Sequence, residues 1–247
     1  MSDIRRTVRN LGVDVRKVFR MFKQLDRAAV AAHYVRGSGI EVGGLHNPLK
    51  VPRGASVRYI DRMSTEELRK QYPELAGRSF TRVDILDDGE RLRTIADGSQ
   101  DFVIANHFLE HCENPIGTLH TLFRVVKKGG VVYMCLPDKR YTFDSDREIT
   151  SFEHILRDYE EGPAWSRRGH FEEWVRIVER VSDGEEAARR VQALMDQKYS
   201  IHYHVWTQPD MWNMLHAARD VLQVPFEIEF MMKSEGEVII VIRKNGT

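Results

Sequence analysis

The stretch Asp101–Phe102–Val103–Ile104–Ala105–Asn106, continuing as His107–Phe108–Leu109–Glu110–His111, decides how the rest of the chain is read. It opens as a short apolar run of the kind that fills a strand buried on both faces, and it closes in a polar lip. Similar runs recur on either side at Gly39–Val42, Val57–Asp61, Phe80–Ile85 and Val131–Leu136. Helical patterns lie between them. Ser64–Thr65–Glu66–Glu67 reads as a capping box that opens a helix to about Leu75, and Glu90–Ala96 reads as a shorter helix. Pro115–Lys127 carries the stripe Ile116, Leu119, Leu122, Phe123 and Val126, and the Gly129–Gly130 pair ends it. Strands alternating with helices predict an α/β fold with a doubly wound, mostly parallel sheet.

Both ends of the chain add to this frame. Phe226–Met232 and Glu237–Arg243 read as two strands joined by Lys233–Ser234–Glu235–Gly236, a hairpin that is antiparallel because its loop is short. The expectation is therefore a seven-stranded sheet with a C-terminal β-hairpin. Residues 1–35 form a heptad stripe of Ile4, Val8, Leu11, Val15, Val18, Phe22, Leu25 and Ala29, backed by a basic face. This predicts an N-terminal amphipathic helical arm. It would dock on the domain, on a second copy to give a homodimer, or on an anionic membrane surface. Residues 36–247 are then one domain, in which a helical segment at 142–205 forms a lid over the acceptor.

Composition narrows the function. Of 247 residues, 37 are Lys or Arg and 37 are Asp or Glu, a balance that speaks against a general nucleic-acid binder. No apolar run is long enough to span a membrane, and the N-terminus lacks the apolar core of a signal peptide, so a cytoplasmic location is expected. With two cysteines, Cys112 and Cys135, there is neither a disulfide framework nor a Cys-rich metal site.

In an open parallel sheet, ligands settle beyond the carboxyl ends of the strands. Each strand here is followed by residues suited to that place. Glu41 with Gly43 and Gly44 follows the first, Asp61 the second, Asp84 and Ile85 the third, and Asn106 and His107 the fourth. Singly, a Gly-Gly turn is usually only a turn, and an Asp at a strand end is usually a cap. Their order, one set after each strand, points to a nucleotide-like ligand whose ribose meets an acidic side chain after the second strand.

On these motifs, together with Val125–Val126–Lys127–Lys128–Gly129–Gly130, the chain resembles the class I S-adenosylmethionine-dependent methyltransferases, with Asp101–His111 the most specific part. Within that superfamily it is similar to bacterial enzymes acting on small molecules, some of them on sugars or glycolipids. The resemblance implies S-adenosyl-L-methionine as cofactor. Glu41 and the Gly43–Gly44 backbone would face its methionine amino and carboxylate groups, Asp61 its ribose, Asp84 and Ile85 its adenine. Asn106 and His107 would line the methyl-transfer face. Two departures stand out. Leu45 and Asn47 occupy places where family members carry glycine, and Pro48, Pro52 and Gly54 interrupt the helix that usually follows.

The implied activity is methyl transfer to a hydroxyl of a small-molecule or glycan acceptor, helped by a base. Candidate bases lie beyond the fifth strand: Asp144, His154, His170 and His204. His202 and His204 alternate around Tyr203 and would point the same way on an extended segment. No carboxylate has clear ligand spacing with that pair, so no metal is expected. Trp165, Phe171, Trp174, Trp206 and Trp212 cluster in the sequence here, as a lid core or as a platform for a ring. Residues 142–200 hold 14 acids and 9 bases, which disfavours a polyphosphate acceptor. The rival readings are an N-methyltransferase, a non-catalytic methyltransferase-like subunit, and an NAD enzyme. The last lacks its G-x-G-x-x-G.

Overall fold

Apolar runs with polar ends become strands here because both faces of the sheet are covered. The computed structural model describes residues 25–246. The strands are β1 (Ser38–Val42), β2 (Ser56–Asp61), β3 (Ile85–Leu86), β4 (Gln100–Asn106), β5 (Val126–Pro137), β6 (Phe226–Ser234) and β7 (Glu237–Lys244). They form one sheet in the order β3-β2-β1-β4-β5-β7-β6. The first five pair in parallel, and β7 runs antiparallel to both β5 and β6. The chain builds outward from β1 to β3, then returns to place β4 on the other side of β1. That reversal opens a crevice at the carboxyl ends of β1 and β4.

Alternation along each strand sends side chains to two cores. Val103 and Ala105 join Ile40, Val132, Met134 and Ile240 on one face, against helices α3 (Pro115–Val125) and α7 (Gln208–Leu222). Phe102 and Ile104 join Tyr133, Cys135 and Val241 on the other, against Val30 and Ala31 of helix α1 (Arg27–Tyr34). Helix α2 (Thr65–Gln71) opens with the expected capping box of Ser64 and Glu67.

Three local expectations change. The third strand is Ile85–Leu86 rather than Phe80–Ile85: Asp84 turns its Oδ2 onto the Tyr59 amide at 2.9 Å, so a side chain takes the place of ladder carbonyl. Residues 90–96 are turns rather than a helix, because the Asp87 carboxylate gathers the amide and hydroxyl of Thr94 and Leu92 adopts φ +44°. Helix α3 stops at Val125 and β5 begins at once. As the interrupting prolines imply, no helix lies between β1 and β2.

The heptad stripe of the arm falls mostly outside the described residues. Within the described residues, Asp26 is extended and caps α1 by accepting the Ala29 amide.

The segment after β5 holds α4 (Phe152–Glu161), α5 (Arg167–Glu173), a π turn at Trp174–Val178 and α6 (Gly184–Asp196). Phe171, Val175, Val191, Leu194, Ile201 and Tyr203 give it a core of its own. It returns to the sheet where Trp206 bridges Asp138, next to the end of β5. No helix among the described residues is long and apolar enough to cross a membrane.

Candidate functional site

The crevice is built from strand ends, and its polar groups are only partly satisfied. Glu41, inside β1, is 1% exposed; its Oε1 and Oε2 accept the Leu49 amide at 2.9 and 3.2 Å. Burial pushes this carboxyl up to about 7, against the pull of that amide and of Arg27. Glu41 thus holds the 43–50 loop while keeping a carboxyl group under it. Gly43 has φ +68°, and a Cβ on Gly44 would stand 3.2 Å from the Tyr59 ring and 3.7 Å from the Glu41 carboxyl. A side chain would fill that cradle. Leu45, two residues beyond Gly43, itself adopts φ +41°.

Asp61 ends β2, with Oδ1 accepting the Met63 amide at 3.3 Å. Burial raises its pKa, opposed by the Met63 and Arg62 amides. Asp84 sits before β3, with its carboxylate occupied by Tyr59, so the acidic groups beyond that strand are Asp87 and Asp88. Ile85 packs against the main core at the strand itself. Asn106 closes β4 at 8% exposure, and neither its Oδ1 nor its Nδ2 has a hydrogen-bond partner. An unpaired buried amide costs about 1–3 kcal/mol, which a polar ligand would recover.

His107 follows with φ +47°, a conformation non-glycine residues seldom adopt. Its Nε2 is 2.8 Å from Oε2 of Glu237 and 2.7 Å from the Arg27 guanidinium, and its Nδ1 is 3.3 Å from Oε1 of buried Glu110. Burial lowers its pKa, but the Glu110 and Glu237 carboxylates prevail and hold it at about 9. Arg27 also pairs with Glu237. Burial drives Glu237 up, yet the bonds from Arg27 and His107 bring it to about 2. Beside this group lies a cavity of about 570 Å³, bounded by Arg27, Asn47, Leu49, Lys50, His107 and Glu237.

The candidate bases of the 142–205 segment fall into two groups. Asp144 is buried and accepts from His202 Nδ1 at 2.7 Å and from Arg147 at 3.0 Å. His202 lies in ring contact with His111 at 4.6 Å and with exposed Phe143 at 4.9 Å. His111 donates to the Ile201 carbonyl at 2.8 Å, and burial pushes it down to about 4.

His154, His170 and His204 converge elsewhere, around Asp158. Burial, aided by the neighbouring His154, lowers His170 to about 3; burial with His170 lowers His204 as well. Such imidazoles are poor proton acceptors at neutral pH. The alternation of His202 and His204 does not aim them at one place. The amides of Tyr203 and His204 both turn to the Glu110 carbonyl, and the extended path bends there. The five aromatics also separate: Phe171 joins the segment core, Trp206 the main core, and Trp212 is exposed on α7.

Arg27 and Glu237 stand at no motif, because each gains its role by pairing across the fold, and Asp158, one turn from His154, meets His204 only in the folded chain. At Gly89 a Cβ would meet Val42 at 2.4 Å and Phe108 at 2.6 Å, so that loop closes directly on the ends of β1 and β4. The sequence signal for it was the Asp87–Asp88–Gly89 turn.

A family model described as a methyltransferase domain matches residues 37–134, from just before β1 into β5. No curated protein matches. Among solved structures, one from Rhodobacter sphaeroides assigned to the Zn-dependent alcohol dehydrogenases aligns at TM-score 0.50 and 14% identity, over 86% of this chain and 85% of that one. A SAM-dependent methyltransferase from Methanosarcina mazei aligns at 0.49 and 17%, over 90% and 100%. Another from Aquifex aeolicus aligns at 0.44 and 12%, over 93% and 88%. At these identities, structural likeness speaks for the fold alone.

Proposed function

We propose that this chain, whose residues 37–134 match the methyltransferase-domain family model, is a class I S-adenosylmethionine-dependent methyltransferase that methylates a hydroxyl of a small or carbohydrate-like acceptor. In this reading His202 takes the proton. The observation that carries it is the buried Asp144–His202 pair at 2.7 Å beside the lip that follows β4.

The crevice fits the cofactor. The Gly43–Gly44 backbone with Glu41 beneath it, Asp61 beyond β2 and the unpaired Asn106 amide would hold its amino-acid and ribose ends. When bound, S-adenosylmethionine supplies a methyl group activated by a sulfonium leaving group. The protein's tasks are then alignment and proton management. The Asp144 carboxylate fixes the proton of His202 on Nδ1 and leaves the Nε2 lone pair to accept one. Arg147, hydrogen-bonded to Asp144 and to the His202 carbonyl, holds both partners in place. Asp144 is accordingly a positioning residue. Exposed Phe143 and half-buried Trp174 flank His202 and offer faces to a ring or sugar. The negative balance of the segment favours a neutral or cationic acceptor. Arg62 donates to the Lys198 carbonyl at 2.9 Å, which ties the segment to the loop after Asp61.

Titration of S-adenosylhomocysteine into the full chain, followed by a panel of sugar, phenol and amine acceptors, tests the reading. Binding heat, its loss in Asp61→Asn, and turnover with hydroxyl acceptors are expected. Absence of binding, or turnover with amines alone, would overturn it.

A further inference from the structure

Outside the crevice, three elements bring four ligand-type side chains together. His154 and Asp158 stand one turn apart on α4, His170 lies on α5, and His204 lies on the returning segment. Nε2 of His154 is 3.0 Å from Nε2 of His170 and 3.4 Å from Oδ2 of Asp158. That oxygen is 3.8 Å from Nε2 of His204. One donor atom from each residue lies within 4.8 Å of all the others. A tetrahedral ion bound at about 2.0–2.1 Å sets donor–donor edges of about 3.3–3.4 Å, in the middle of these separations.

Side-chain chemistry without an ion leaves this arrangement unsatisfied. His204 and Asp158 are 1% and 0% exposed, yet both ring nitrogens of His204 and Oδ2 of Asp158 have no hydrogen-bond partner. Ring nitrogens of His154 and His170 face each other with room for one proton between them. A divalent cation answers Oδ2 of Asp158 and one ring nitrogen of each imidazole at once. The surroundings support them as ligands. Ser166 donates its hydroxyl to Oδ1 of Asp158 at 2.6 Å, which leaves Oδ2 for the ion. Trp206 stacks on the His204 ring at 5.6 Å, and Trp165 packs on His154 at 4.7 Å. His154 is the least buried of the four, and it marks the way in.

We infer that His154, Asp158, His170 and His204 form a closed tetrahedral site for a divalent transition-metal ion of the zinc type. Three imidazoles and one carboxylate suit that ion. Four protein donors leave no open position, so the ion is structural. It ties α4 and α5 to the segment that carries His202. The site departs from the expectation of no metal: Asp158 stands one turn after His154 on α4 and has no ligand spacing to the His202–His204 pair. The inference stands apart from the methyl-transfer reading, and its readouts need no turnover.

The test uses the full chain, stripped by a chelator, then titrated with Co²⁺ and back-titrated with Zn²⁺. Expected are one equivalent bound, visible d–d bands of tetrahedral type that Zn²⁺ abolishes, and a rise in Tm. Asp158→Asn and His204→Gln lose the bands, whereas His202→Gln keeps them. Ser166→Ala, which removes only the support of Asp158, weakens binding about tenfold. X-ray absorption on the Zn²⁺-loaded wild type, which does not depend on any variant folding, shows three imidazoles. Two outcomes overturn the proposal. One is weak octahedral bands without a change in Tm. The other is bands lost in His202→Gln and kept in His204→Gln, which would place the ion with Glu110 and His111 instead.

Discussion

His202 and His204 are two residues apart, both buried, and placed in opposite chemical company. His202 meets a carboxylate that fixes its proton, an arginine that braces that carboxylate, and an exposed aromatic ring. His204 meets two further imidazoles and an unpaired carboxylate oxygen, with no hydrogen bond on either nitrogen. The first environment prepares a proton acceptor; the second prepares a ligand. Residue type and spacing are the same for both, so the partners delivered by other elements assign the roles.

The largest effect expected from this contrast is on turnover. His202→Gln should lower kcat by about 10²–10⁴-fold while S-adenosylhomocysteine binding, read by calorimetry, stays unchanged. Asp144→Asn should lower kcat less and alter the acid limb of the pH–rate profile, since it acts through His202. Equal losses of cofactor affinity and kcat in either variant would mean that the pair supports the fold instead.

A second comparison concerns the imidazoles on either side of Glu110. His107, held at about 9 against an ordinary 6.5, binds its proton more tightly folded than unfolded. Its stabilisation is present below pH 6.5 and is lost as pH rises through 9. His111, held at about 4, stays neutral in the fold while the unfolded chain takes up a proton. Stability therefore falls as pH drops from 6.5 toward 4, with a slope approaching ~1.4 kcal/mol per pH unit. Denaturant melts across pH should show both limbs, the alkaline one flattened in His107→Gln and the acidic one in His111→Gln.

Smaller still is the cost of Glu237→Gln. It leaves Arg27 and His107 facing each other without their shared carboxylate, and should remove about 1–3 kcal/mol of stability. Leu45→Gly should change stability least, by less than about 1 kcal/mol, because relief of the left-handed conformation offsets the added freedom of the unfolded chain. A large loss there would show that the Leu45 side chain, not its backbone, shapes the loop.

Much of the frame was legible in the residues. The apolar runs at 39–42, 57–61, 101–106 and 131–136, the capping box at Ser64 and the terminal hairpin all appear where their patterns place them. Failures came where a side chain replaced a backbone partner. Asp84 shortens β3 by capping Tyr59, and Asp87 winds residues 90–96 into turns. Of the crevice, Glu41, Gly43, Gly44, Asp61 and Asn106 stand at or just beyond the carboxyl ends of their strands, a position that the strand pattern makes legible. Arg27 and Glu237 were not, since neither stands at a motif and each gains its meaning from the other.

By itself the sequence determined the order of strands and helices, the buried faces and the register of polar lips, because apolar periodicity and capping act over a few residues. Only the tertiary structure decided which carboxylate meets which imidazole. Asp144 reaches His202 and Asp158 reaches His204 across long stretches of chain, and such pairings depend on burial and packing, which leave no local pattern.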